Sequence, residues 1–236
     1  MKQVLGAIRK AVNDFDMIQQ GDRIAVGLSG GKDSMLLLYA LKLFQRFSPV
    51  EYELSAITVS LGFEQFETQK IQDYCEKIEV PYYQVDTDIA KIVFDVRKEK
   101  NPCALCSKMR NGALHNKVKD IGFNRVALGH HGDDVVETLF LSMLYSGKLA
   151  TFKPVTYLSN KEIYNIRPMI YVKESQVIGA VKRHQVPVLK SPCPMDGNSK
   201  RESVKMLLKK VYQDVPEGRE RILKALSNKN QYELWF

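Results

Sequence analysis

The run Ile24-Ala25-Val26-Gly27-Leu28-Ser29-Gly30-Gly31-Lys32-Asp33-Ser34 limits the fold more than any other stretch of this chain. Its apolar start makes a short buried strand, its glycines make a turn, and the Leu-rich segment 35–47 that follows makes a helix. A strand that feeds a helix through a glycine turn is the opening unit of a parallel sheet, and such sheets bind ligands at the carboxyl ends of their strands. Gly30 and Gly31 allow close backbone approach, so successive amides and the helix N-terminus can face phosphate oxygens. Ser29, Lys32 and Ser34 add side-chain donors. The run is not a Walker A loop, because Asp33 follows the lysine where that pattern has Ser or Thr. An acid facing phosphates implies a bridging Mg²⁺. A plain glycine turn with solvated charges is the competing reading, and the match of the whole run in this setting outweighs it.

The remaining pattern keeps the alternation. Residues 2–19 place Val4, Ile8, Val12, Phe15 and Ile18 on one side of an amphipathic helix. Strands are expected over 52–59, 82–85 and 125–128, and helices over 64–79, 107–120 and 133–145. The expected class is therefore α/β, a parallel sheet wrapped by helices. From 151 to 170 short extended pieces gather around Pro154 and Pro168, and helices follow over 174–184 and 202–226. The expected organisation is an N-terminal helix over 1–20, a catalytic domain over 21–196 and a helical extension over 197–236, with no internal repeat.

With 236 residues, 44% of them hydrophobic and 26% charged, the chain can bury a core without disulfides. Its longest apolar runs, 35–38 and 139–144, fall far short of a membrane span, and its first residues lead into a charged helix, not a secretory core. No membrane association and a cytoplasmic address are the expectations. The net charge of +8, from 35 basic and 27 acidic residues, favours polyanionic partners such as RNA, although charge alone is weak support.

The cysteines narrow the chemistry. Cys103-Ala104-Leu105-Cys106 opens a predicted helix, and Cys193 lies far downstream between Pro192 and Pro194. In a cytosolic chain a disulfide is the poorer use of such a set, and the three thiolates can converge on a metal. Structural zinc takes four ligands, but Asp196 stands where a second CxxC would need a cysteine. Three thiolates suit an iron-sulfur cluster with one open iron. A zinc-stabilised RNA-binding module is the non-enzymatic alternative, and it leaves the phosphate loop unexplained. Cys75 falls on the apolar side of its predicted helix and reads as a small buried hydrophobe.

Gly129-His130-His131-Gly132-Asp133-Asp134 follows the strand expected at 125–128, so it should open onto the same sheet edge as the phosphate loop. Asp133 and Asp134 can ligate Mg²⁺, cap the next helix, or both. His130 can contact nucleotide or substrate. His131 reads as readily as structural, and His115 and His184 have no suitable neighbours. Arg110 lies one helical turn beyond Cys106. Lys98, Lys100, Lys108, Arg110, Lys117 and Lys119 form one basic group, and Lys200, Arg201, Lys205, Lys209 and Lys210 another; both can track an RNA backbone or stay solvated.

Ser29–Ser34 resembles the PP-loop of the ATP pyrophosphatases. The segments 102–107, 127–134, 137–141, 147–149 and 166–168 and the aromatic tail 234–236 follow in the order of the signatures of the tRNA 2-thiocytidine synthetases (TtcA), relatives of TtuA and TilS. The resemblance spans nearly the whole chain. It implies an adenine nucleotide alpha hydrolase-like, Rossmann-like fold with short helical extensions at both ends. It also implies an ATP-dependent sulfurtransferase that adenylates a tRNA base, with cytidine 32 as target, and forms AMP and pyrophosphate. Carried over position by position, ATP falls to Ser29, Gly30, Gly31, Lys32, Asp33, Ser34, Gly129 and His130, and Mg²⁺ to Asp33, Asp133 and Asp134. A 4Fe-4S cluster falls to Cys103, Cys106 and Cys193, and catalytic roles to Lys32, Asp33, Arg110, Asp133 and Asp134. Implied partners are tRNA, a cysteine desulfurase or other sulfide donor, and a second copy of the chain in a homodimer. Asp196 departs from the family, which often has a cysteine there. A PP-loop ligase that joins nitrogen to an adenylated carbonyl is the competing enzyme, but amine chemistry needs no cysteine triad.

Overall fold

The computed structural model describes residues 1–63, 65–99, 101–195, 197 and 199–228. Glu64, Lys100, Asp196 and the aromatic tail 234–236, all singled out in the sequence, lie outside the described residues. The chain groups into two compact units, Met1–His131 with Pro154–Asp196, and Gly132–Lys153 with Gly197–Phe236.

The first unit holds the sheet. Its strands β1 (Asp22–Leu28), β2 (Tyr52–Ser60), β3 (Tyr82–Asp86), β4 (Arg125–Ala127), β5 (Val155–Leu158) and β6 (Ile163–Ile166) are ordered β3-β2-β1-β4-β6-β5. All neighbours pair in parallel except β5, which folds back antiparallel on β6 and makes the edge. The loosely extended pieces expected over 151–170 are thus a hairpin. Ile24, Ala25 and Val26 are all fully buried, as a central strand covered on both faces requires. One face packs Ala25, Ile57 and Val126 against Val93, Leu114 and Val118. The helices of this unit are α1 (Lys2–Asp14), α2 (Lys32–Phe44), α3 (Thr68–Lys77), α4 (Pro102–Asp120) and α6 (Glu174–His184). Met35, Leu36, Leu37, Leu38 and Leu41 of α2 are fully buried, so this helix has scarcely a solvent face.

Strand order reverses at β1, whose chain continues toward β2 on one side while β4 lies on the other. That reversal opens a crevice at the carboxyl ends of β1 and β4, which is where open α/β sheets take their ligands.

Helix α4 begins at Pro102, not at 107, so both cysteines of the CxxC sit inside its first turns. Proline suits this first helical position because the amide it lacks has no partner there in any helix. Ahead of it, Lys91–Val96 form a π-helical turn that no local sequence signal announces.

The second unit comprises α5 (Gly132–Ser146), α7 (Lys200–Asp214) and α8 (Gly218–Ser227), with Val136, Phe140, Val204, Leu208, Tyr212, Ile222 and Leu223 in its core. The single helix expected over 202–226 is two. Pro216 cannot continue a helix and displaces the residue before it from helical geometry, and Val215 accordingly has φ −128° and ψ 82°. Helix α5 groups with these C-terminal helices and not with the sheet that precedes it in the chain.

At the amino ends of the strands, Asp22 and Arg125 form a buried ion pair, each side chain 5% exposed. Asp22 also accepts hydrogen bonds from the Gln19 amide at 2.6 Å and Asn124 Nδ2 at 2.8 Å. Replacing it by alanine strands a buried guanidinium, at a cost of about 3–5 kcal/mol. The expected result for Asp22→Ala is a fall in Tm of roughly 6–20 °C at the usual scaling, with little change in KM for the protein that remains folded. A fall under about 2 °C in thermal denaturation counts against the pair's structural role.

Candidate active site

The turn between β1 and α2 is built from its own hydrogen bonds. Ser34 Oγ accepts from the Ser29 amide at 3.2 Å, donates to the Gly31 carbonyl at 3.1 Å and lies 3.2 Å from Ser29 Oγ. Ser29 Oγ in turn accepts from the Gly31 amide at 3.4 Å. Gly30 has φ +77°, a left-handed conformation natural to glycine. A Cβ there would also lie 3.1 Å from Leu189 Cβ and 3.3 Å from Phe66 Cε2. The Gly30 carbonyl accepts a hydrogen bond from the Leu189 amide at 2.9 Å, which ties the segment leading to Cys193 to the loop.

Gly129, just past β4, supports the loop from behind. A Cβ on it would stand 2.9 Å from the Ser34 amide nitrogen and 3.0 Å from the Asp33 carbonyl carbon, both backbone atoms of the first turn of α2. His131 is 3% exposed at its side chain and places Nε2 3.5 Å from Asp33 Oδ1. His131, read in the sequence as readily structural, thus reaches the loop acid.

Lys32 Nζ contacts both oxygens of Asp33, at 2.9 and 3.0 Å, and Glu174 Oε1 at 3.2 Å. Burial disfavours the ammonium, but the two carboxylates outweigh it and hold the Lys32 pKa above the ordinary lysine value. Glu174 was not legible as a site residue. Its only local mark is its place at the first position of α6, where an acid is common for helix-dipole reasons.

A cleft of about 580 Å³ opens over these groups. Ser29, Gly31, Lys32 and Asp33 line it, together with Arg110 of α4 and the run from Leu189 to Cys193. Val59, Leu61, Phe63 and Phe66 supply an apolar wall. A space of that size, with a phosphate loop at one side and aromatic carbon at the other, accommodates a nucleotide. Lys190, also in the lining, went unnoticed in the sequence because an isolated lysine carries no pattern.

Burial pushes the Cys106 thiol up, the Arg110 guanidinium opposes that, and Cys193 and Cys103 push it further up. Cys103 is exposed, and Cys106 and Cys193 are half-buried. Among the described residues no three His, Cys, Asp or Glu side chains draw together closely enough to hold a single metal ion. A cubane cluster is a larger body, bound at its corners, and its thiolates stand further apart than those around one ion. The donor set, all sulfur and opening on solvent, fits such a cluster and suits a Cys₃ site with one iron left free. Cys75, by contrast, is buried on α3 with its thiol pushed up to about 12 by desolvation, as a structural cysteine should be.

Asp133 and Asp134 belong to the second unit, where each meets an arginine. Arg219 Nε lies 3.1 Å from Asp133 Oδ1, and Arg201 Nη1 lies 3.6 Å from Asp134 Oδ1 and 3.1 Å from Glu137 Oε2. Burial pushes the Glu137 carboxyl up, Asp134 adds to the shift, and Arg201 works against both. These partners come from α7 and α8 and leave no trace near the motif in sequence. His115, set aside as lacking neighbours, has a structural one: its Nε2 lies 3.0 Å from Asn165 Oδ1.

A doubly wound sheet with a glycine phosphate loop at its switch point defines a nucleotide-binding enzyme of the α/β class. The profile of the PP-loop domain matches residues 2–211. The chain belongs to that family, among the tRNA-cytidine(32) 2-sulfurtransferases: it is 36% identical to the Pelobacter propionicus protein of that name over 225 residues, 94% of this chain and 84% of that one. It is also 36% identical to the Geobacter sulfurreducens protein over 230 residues, 96% of this chain and 90% of that one, and 38% identical to that of Neisseria meningitidis serogroup C over 231 residues, 96% and 72%. Among solved structures, the U34-tRNA thiolase NcsA of Methanococcus maripaludis, which holds a 4Fe-4S cluster, superposes with a TM-score of 0.80 at 25% identity over 100% of this chain and 82% of that one.

Proposed function

We propose that this chain is an ATP-dependent tRNA sulfurtransferase that exchanges the carbonyl oxygen of cytidine 32 for sulfur. The observation that carries the reading is the shared cleft, in which the phosphate loop, Cys193 and Arg110 face one space, Arg110 standing on the helix that also bears Cys103 and Cys106. The relatives' names and the cluster of the thiolase neighbour support it.

The loop amides, Ser29 and Lys32 hold the triphosphate of ATP, and Asp33 would hold a Mg²⁺ that would offset its negative charge. The base oxygen attacks the α-phosphate, the bond to the β-phosphate oxygen breaks, and pyrophosphate leaves. The base then bears AMP as a leaving group in place of a poor one. Arg110 faces the cleft one helical turn from Cys106 and stabilises negative charge that builds on the phosphate. Cys103, Cys106 and Cys193 would hold a 4Fe-4S cluster, which when bound would present sulfide from the donor to displace AMP. Asp133 and Asp134, set by Arg219 and Arg201, are proposed to serve the same reaction, with Gly129 and His130 at the nucleotide. A sulfide donor such as a cysteine desulfurase, a homodimer and a cytoplasmic setting complete the proposal; among the described residues no helix is long and apolar enough to cross a membrane.

The test is anaerobic reconstitution followed by incubation with ATP, Mg²⁺, sulfide and tRNA. Expected are close to four irons per chain, AMP and pyrophosphate formed with tRNA present, and 2-thiocytidine at position 32 by nucleoside mass spectrometry. Bound zinc without AMP formation sinks the reading.

A further inference from the structure

The reaction above employs Lys32 and Asp33 but gives no task to the third charged group in their cluster. Glu174 Oε1 lies 3.2 Å from Lys32 Nζ, and the two side chains are 20% and 31% exposed, so the contact is partly shielded from solvent and salt. Glu174 also opens α6, where the helix dipole favours a negative charge whether or not Lys32 is near. One ammonium therefore meets two carboxylates at a site meant for a polyanion. A carboxylate held on this ammonium competes with phosphate oxygens for it. Asp33 is assigned to the metal, whereas Glu174 has no part in the reaction proposed above.

We infer that Glu174 is a positioning residue that limits how tightly the loop retains pyrophosphate. Resting on the ATP-using reading, the inference treats product release as an exchange of partners for Lys32. The ammonium gives up a diphosphate oxygen and returns to Glu174, so one charge-assisted hydrogen bond replaces another. The fixed carboxylate also repels the departing anion. No bond is made or broken covalently in this step, and no proton changes hands.

The test is Glu174→Gln, which keeps shape and acceptor oxygen and removes the charge. Magnesium pyrophosphate binding to the reconstituted protein, measured by calorimetry, should tighten by about threefold to tenfold, the size of one partly screened charge. Product inhibition by pyrophosphate should strengthen to match, KM for ATP should fall with it, and multiple-turnover kcat should drop while single-turnover thiolation holds its rate. Glu174→Asp should restore weak pyrophosphate binding in part. Unchanged or weaker pyrophosphate binding in Glu174→Gln overturns the inference. So does a raised Mg²⁺ requirement without tighter pyrophosphate, which makes Glu174 a metal ligand, and so does loss of the single-turnover step. If wild-type protein releases no pyrophosphate from ATP, the ATP-using reading fails on its own, independently of Glu174.

Discussion

Cys193→Ala should lose its iron and, with it, more than about a hundredfold of thiolation activity, while still binding ATP. The reason lies in how the cysteines are held. Cys103 and Cys106 are fixed by the first turns of α4, which form without Cys193. Cys193 sits on a segment whose backbone anchor, the Leu189 amide on the Gly30 carbonyl, does not involve its sulfur. Removing the thiol should therefore spare the loop and the fold. Cys103→Ala and Cys106→Ala should match it in iron loss, and all three should melt within about 2 °C of the unreconstituted wild type, since a surface substitution that breaks no packing seldom costs more than ~0.5 kcal/mol. Full thiolation activity in Cys193→Ala rules out its role as a cluster ligand. Iron loss together with a collapse in ATP binding shows instead that the two halves of the cleft fold as one.

The second large effect belongs to a residue that bears no functional group. In Gly129→Ala the new methyl meets backbone atoms of α2 at 2.9 and 3.0 Å, and backbone cannot swing aside as a side chain can. The first turn of α2 has to shift, and Ser34, whose hydroxyl ties Ser29 to Gly31, shifts with it. Overpacking of this kind costs about 1–3 kcal/mol, which predicts a fall in Tm of roughly 2–12 °C. The kinetic effect should be larger, because the loop amides lose their aim: KM for ATP should rise by at least about tenfold, since displacement of positioning groups by an ångström is that costly. Iron content should stay at the wild-type level. A variant with normal KM shows that the loop tolerates the displacement and that Gly129 has no part in aiming it.

What could be read from the chain alone was whatever repeats or clusters locally. The loop at 27–34 was legible because glycine, strand and helix signals coincide within a few residues, and the alternation of strands and helices followed from periodicity. The cysteine triad was legible because the residue type is scarce. The unread features are those that only folding brings together. Glu174 meets Lys32 across most of the sheet's sequence, Leu189 meets Gly30 through its backbone, and the arginines that hold Asp133 and Asp134 come from the last helices. The contact of His131 with Asp33 also needed coordinates, since two adjacent histidines at a strand end differ only in which way the chain turns. The break at Pro216 was visible in the sequence, but apolar spacing runs on across it and masked the stop.

The parallel run of β1, β4 and β6 sorts this unit's residues by chain direction: strands enter at Asp22 and Arg125 and leave toward Ser29, Gly129 and Arg167. Turnover is thereby gathered on one rim of the sheet, and the other rim is left to stability alone. Substitutions meant to harden the enzyme can be sought at the entry rim, where melting responds and kinetics should stay silent. Selection on catalysis is confined to the exit rim, where even a methyl group is noticed.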